Sequence, residues 1–75
     1  MKVSIKLEGY LKHKYPSNIL EINYSKPVTV GKVLKDTKIS SADVFFIKVG
    51  DLIVKEDYLL TKSSEVKLFS IIGGG

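Results

Sequence analysis

Three glycines in a row, Gly73-Gly74-Gly75, close the sequence and follow a stretch of strand composition, Glu65 to Ile72. With glycine at about 7% of average usage, a terminal run of three arises by chance about three times in ten thousand. A tail without Cβ atoms threads gaps too narrow for side chains, and three or four extended residues reach about 10–14 Å. A strand that runs straight into bare glycines points to the carboxylate of Gly75 as the reactive group, with Gly73 and Gly74 as its flexible stem. The plain alternative is a disordered chain end with no role.

Other residue groups that could do chemistry are sparse. His13 is the one histidine and sits between Lys12 and Lys14. A metal site needs several convergent ligands, so His13 reads as solvated surface and no metal is expected. The chain has no cysteine, hence no disulfide framework and no thiolate site. Glu56 and Asp57 are adjacent and diverge, a poor acid–base pair. Ser63-Ser64 has no visible base partner and reads as a turn. The glycine run leads into no helix, so it is not a phosphate loop, and no bound cofactor is expected. Tyr10, Tyr15 and Tyr24 lie among scattered lysines, a weak case for binding single-stranded nucleic acid.

The tail needs a body to hold it. Seventy-five residues make one domain, near the lower end of what folds without staples. At 44% hydrophobic the chain can build a core. Its net charge of +4 and pI of about 9.4 come from dispersed lysines without arginine, and no nucleic-acid partner is expected. No apolar run reaches the length of a membrane span, and Met1-Lys2-Val3-Ser4 is no signal peptide. The expectation is a soluble cytoplasmic protein without a membrane partner.

Hydrophobic periodicity supplies the elements. Met1 to Leu7 alternates, which predicts a strand. Gly9 to Asn18 is turn-like, with room for a helical turn at Tyr10 to Tyr15, and Ile19 to Tyr24 alternates again, completing a hairpin. Thr29 stands at a helix N-cap position. Val30, Val33, Leu34 and Thr37 make one helical stripe, ending near Lys38. Gly31 weakens the helix unless it permits close approach to the sheet. Val44 to Val49 is strand-like, Gly50-Asp51 a turn and Leu52 to Val54 a short strand. Lys55 to Lys62 is irregular, with one helical turn expected at Asp57 to Leu60, and the last strand runs from Val66 to Ile71. The order strand, strand, helix, strand, short strand, strand predicts an α+β domain, a mixed sheet of four to five strands with one main helix on one face. Val3, Ile5, Leu7, Leu20, Ile22, Val30, Val33, Leu34, Phe45, Ile47, Leu59, Val66 and Leu68 form the expected core.

Read together, Glu8-Gly9-Tyr10-Leu11-Lys12, Thr29-Val30-Gly31-Lys32-Val33-Leu34, Val49-Gly50-Asp51, Ser63-Ser64-Glu65-Val66 and the final glycines resemble the MoaD/ThiS family of sulfur carriers. These are small ubiquitin-like β-grasp proteins of molybdopterin and thiamine biosynthesis. The resemblance implies a β-grasp domain over residues 1–72 and a flexible tail over 73–75. Two departures stand out. Gly50-Asp51 replaces the usual Asn-Gly, and Ser63-Ser64 replaces Asp-Gly. Three glycines after Ile71-Ile72 lean toward ThiS, whereas Glu8 to Lys12 leans toward MoaD, so the pathway stays open.

The resemblance also implies the chemistry. A MoeB/ThiF-like adenylyltransferase, using its own ATP and Mg²⁺, converts the Gly75 carboxylate into an acyl-adenylate. A sulfur donor displaces AMP and leaves a thiocarboxylate. A synthase, either the large molybdopterin synthase subunit or a thiazole synthase, accepts the sulfur. The chain is then a co-substrate or small synthase subunit and not an enzyme. Two alternatives remain: a ubiquitin-like modifier conjugated to lysines through Gly75, and a small basic domain that binds nucleic acid or protein.

Strand alternation assigns the docking surface. With Val66 and Leu68 turned to the helix, Lys67, Phe69 and Ile71 face the other side of the sheet, as do Phe46 and Lys48. Neighbouring strands would bring Phe46 and Phe69 together on an open face beside Ile71, Ile72 and the tail, unless residues 9–18 cover the rings. Together Phe46, Phe69, Ile71 and Ile72 are the expected partner-binding residues.

Overall fold

A computed structural model describes residues 1–70. The expected boundary at Ile72 and the tail over 73–75 lie outside the described residues. Strand β1 (Lys2–Glu8) buries Val3, Ile5 and Leu7 completely and turns Lys2, Ser4, Lys6 and Glu8 away, as its alternation requires. It pairs antiparallel with β2 (Ile19–Asn23) across a connection holding the short helix α1 (Leu11–Lys14). Strand β4 (Phe46–Val49) forms a hairpin with β5 (Leu52–Val54). Gly50 takes φ +61° at that turn, a region where a side chain is strained. Strand β7 (Ser64–Phe69) joins the two hairpins, parallel to β1 and antiparallel to β4, so the sheet order is β2-β1-β7-β4-β5.

The main helix α2 (Val30–Thr37) begins where expected. Thr29 Oγ1 accepts a hydrogen bond from the Lys32 N–H at 3.2 Å, satisfying one of the open amides of the first turn. Val30, Val33 and Leu34 are buried, and Thr37 instead donates its hydroxyl to the carbonyls of Val33 and Leu34. Gly31 does allow a close approach, but to the 55–58 segment and not to the sheet. Its N–H donates to the Glu56 carbonyl at 2.8 Å, and a Cβ would lie 3.3 Å from that oxygen.

Several core expectations are corrected. Leu20 and Ile22 lie on the inner face of β2, but β2 is an edge strand beyond the shelter of the core, and both stay half-buried. The expected helical turn at Asp57 to Leu60 is replaced by β6 (Leu59–Leu60), which pairs with β3 (Val28–Thr29) in a second small sheet. That pairing sets Leu60 opposite Val28, both buried, and turns Leu59 outward beside Thr29. Phe45 precedes β4 and is 64% exposed, because a 3-10 turn at Ser41–Asp43 delivers the chain with Val44 against the core instead. Leu11, Val28, Ile39 and Leu60 complete the core.

Candidate functional site: the open sheet face and the root of the tail

The pleat that buries Val66 and Leu68 of β7 turns Lys67 and Phe69 to the opposite, open face. Phe69 lies directly across from Phe46 of β4. Their rings stack nearly parallel, 3° apart with centroids at 4.4 Å, and Phe45 meets Phe46 edge-on at 5.9 Å. Neither Phe46 nor Phe69 is fully covered; both are half-buried. An open groove of about 340 Å³ runs from Phe45 and Phe46 along the β4–β5 hairpin, with Ile53 66% exposed at its margin. Two register steps away on the same face, Lys67 lies between Lys6 of β1 and Lys48 of β4.

Phe69 is followed by Ser70, the last described residue, three positions before the glycine run in the sequence. Ser70 is buried, and its Oγ accepts a hydrogen bond from the Tyr10 N–H at 2.8 Å. Gly9 holds φ +63° so that the turn after β1 can close over this hydroxyl; a Cβ there would sit 2.9 Å from it. Neither Gly9 nor Ser70 stood out as a site residue in the sequence. The available signal was a turn glycine at the ninth position and one hydroxyl inside an apolar run, and nothing local connects the two. Ile71, Ile72, Gly73, Gly74 and Gly75 lie outside the described residues.

The remaining polar groups have structural partners. Asp43 accepts from Lys14 Nζ at 2.8 Å and from the Tyr15 hydroxyl at 2.7 Å. The Lys14 hydrogen bond, and after it the Tyr15 one, holds the Asp43 carboxyl below its ordinary value. Asp36 is lowered the same way, first by Lys32 and then by Tyr24. Burial first, then the bond to Asp36, pushes the Tyr24 hydroxyl up to about 12. Ser63 Oγ accepts from the Lys2 N–H, and the Ser64 hydroxyl donates to the Lys62 carbonyl, so both serines brace the start of β7. His13, Glu56 and Asp57 are exposed. Among the described residues no three histidine or acidic side chains gather as a metal site.

No family model and no curated protein sequence matches the chain. Solved structures do. SAMP1 from Haloferax volcanii superposes over 100% of both chains with a TM-score of 0.80 at 16% identity. A candidate molybdopterin converting factor subunit 1 from Pyrococcus furiosus matches over 96% of this chain and 99% of its own, with a TM-score of 0.72 and again 16% identity. The fold is the ubiquitin-like β-grasp. At this identity the likeness shows the fold, as the resemblance to MoaD/ThiS-like proteins implied. Within the β-grasp the two sheet-face phenylalanines fall on the central strand, β7, and its neighbour β4, and Ser70 follows β7 directly. No helix among the described residues is long and apolar enough to cross a membrane.

Proposed function

We propose that this β-grasp protein is a sulfur carrier of cofactor biosynthesis and works as a co-substrate in the cytoplasm. The Gly75 carboxylate attacks the α-phosphorus of ATP held by a separate adenylyltransferase, and pyrophosphate leaves. The resulting mixed anhydride has a good leaving group. A donor of sulfide sulfur attacks the acyl carbon, AMP departs, and the terminus becomes a thiocarboxylate that a synthase consumes. Molybdopterin synthase and thiazole synthase are the candidate acceptors. The observation that carries this reading is the join between β7 and the glycine run. The central strand of a β-grasp sheet ends at Phe69, its successor Ser70 is pinned by Tyr10, and the sequence then passes through Ile71-Ile72 to Gly73-Gly74-Gly75. In this reading Phe46, Phe69, Ile71 and Ile72 dock the body while the glycines reach the partner's active site.

Incubation with ATP, Mg²⁺, a ThiF/MoeB-type adenylyltransferase from the same genome and a sulfide donor tests the proposal. The intact mass should rise by the difference between sulfur and oxygen, and deletion of Gly75 should abolish the gain. Phe69→Ala should weaken binding to the adenylyltransferase at least tenfold, about 1.4 kcal/mol, with the fold retained. A tail extended by an uncleavable residue that still acquires sulfur would refute the mechanism. Isopeptide conjugates on other proteins would assign the chain to the modifiers instead.

A further inference from the structure

Three lysines occupy directly opposed positions on the three central strands of the open face. Lys6 of β1 pairs in register with Lys67 of β7, and Lys67 with Lys48 of β4. Each is flanked along its strand by core residues: Ile5 and Leu7, Val66 and Leu68, Ile47 and Val49. The pleat therefore sends all three ammonium groups to one side. Like charges directly opposite on neighbouring strands destabilise a sheet. A threonine or glutamine at Lys67 would satisfy the same strand without that repulsion, so the fold alone does not call for the row.

Internal carboxylates compensate it poorly. Lys6 leans forward along β1 to Glu8 at 3.7 Å, and Lys67 leans back along β7 to Glu65 at 3.8 Å. The strands are parallel, so the two side chains splay apart. Both contacts are long and in reach of solvent, with Glu8 half-buried and Glu65 exposed, so each contributes little. Lys48 has no ion pair among the described residues. Beside the row lie the Phe46–Phe69 stack and the exposed Ile53.

We propose that the Lys6–Lys67–Lys48 row is the charge-reading half of the docking face, and that its occupant is a protein surface carrying a line of carboxylates next to an apolar recess for the phenylalanine pair. This rests on the carrier reading, in which the occupant is the adenylyltransferase. A nucleic acid fits the face less well. Glu8, Glu65 and Glu21 share it with the lysines and would repel phosphates on both sides of the row. A carboxylate partner can line up with the lysines alone, and its charges also relieve the repulsion that the free sheet carries.

The test compares the wild type with Lys48→Glu, Lys67→Glu and, as a control away from this face, Lys35→Glu. Calorimetry measures affinity for the same-genome adenylyltransferase at low and at physiological salt, and thermal unfolding measures each free protein. Lys48→Glu places a carboxylate opposite Lys67, so the free protein should keep or raise its melting temperature while binding falls at least tenfold. Lys67→Glu should behave likewise, and Lys35→Glu should match the wild type. Wild-type affinity should drop as salt rises, because the contacts are screened, and the salt dependence should flatten in the two face variants. Wild-type binding with unaltered affinity in both face variants would overturn the lysine row and leave the carrier reading standing. A wild type that neither binds the enzyme nor gains sulfur would overturn both. A single-stranded oligonucleotide that binds more tightly than the enzyme, and depends on these lysines, would replace the protein partner with nucleic acid.

Discussion

Gly9 is the smallest residue with the most specific duty. Alanine there would carry a Cβ in left-handed backbone, about 1–2 kcal/mol of strain, and would press that Cβ to within 2.9 Å of Ser70 Oγ. Gly9→Ala should lower stability in denaturant melts, and Ser70→Ala should recover part of the loss by removing the obstructing oxygen. Full additivity of the two changes would show that the close approach is not the cause. Burial separates two large apolar residues that looked alike in the sequence. Leu68 is fully buried and Phe45 is 64% exposed. Leu68→Ala should cost about 2–5 kcal/mol, a large share of a small domain's stability, whereas Phe45→Ala should change it by less than about 0.5 kcal/mol. Equilibrium denaturation reads both. Val3, Ile5, Leu7, Val66 and Leu68 were legible because strict alternation admits one buried face. Phe45 was not, because alternation extrapolated backwards from β4 ignores the 3-10 turn that begins the strand late.

At the scale of elements, the long periodic segments were read correctly, as were the short strand Leu52–Val54 and the helical turn within Tyr10 to Tyr15, whereas the 55–62 segment was not. Thr29 announced α2 through its cap, and the alternation of β1 and β7 survived intact. The β3–β6 pair escaped notice because two residues carry no period. Whether Leu59 or Leu60 turns inward was decided by Val28, thirty-two positions from Leu60. The Lys14–Asp43–Tyr15 cluster was equally invisible. It ties α1 to the 3-10 turn, and Tyr15 also accepts the Ser40 N–H at 3.1 Å. It gives stability a predictable acid limb. The Asp43 carboxyl is held below its ordinary value by Lys14 and Tyr15, so the folded state binds protons less readily than the unfolded one. The contribution is present above about pH 4, the ordinary carboxylate value, and is lost as pH falls through the lowered one. Asp43→Asn should flatten the dependence of the melting temperature on pH in that range. Tyr24 works at the other end. Its value is raised to about 12 by burial and then by Asp36, so its contribution holds below the unfolded value near 10 and fades as pH climbs toward 12. Tyr24→Phe should remove that alkaline limb.

For the molecule as a whole, the site was legible where it follows from strand phase and obscure where it depends on distant segments meeting. The sequence predicted the Phe46–Phe69 neighbourhood because both residues sit out of phase with buried ones. The contact between Tyr10 and Ser70, sixty positions apart, had no local sign. The central place of β7 has a kinetic consequence. The β1–β2 and β4–β5 hairpins close over short stretches of chain and can form early. They become one sheet only when β7 slots between β1 and β4, and its pairing with β1 spans 61 positions, as from Val3 to Ser64. Closing so long a loop early is entropically costly and slows folding. The β4–β7 pairing is far more local, with Lys48 and Lys67 19 positions apart, so Phe69 can stack on Phe46 before that closure. Until β7 meets β1, Lys67 has no Lys6 beside it and Ser70 has no Tyr10 amide to hold it. The completed Lys6–Lys67–Lys48 row and the clasp between Tyr10 and Ser70 thus come into being in the same late step, so a chain caught before it has the aromatic stack without either.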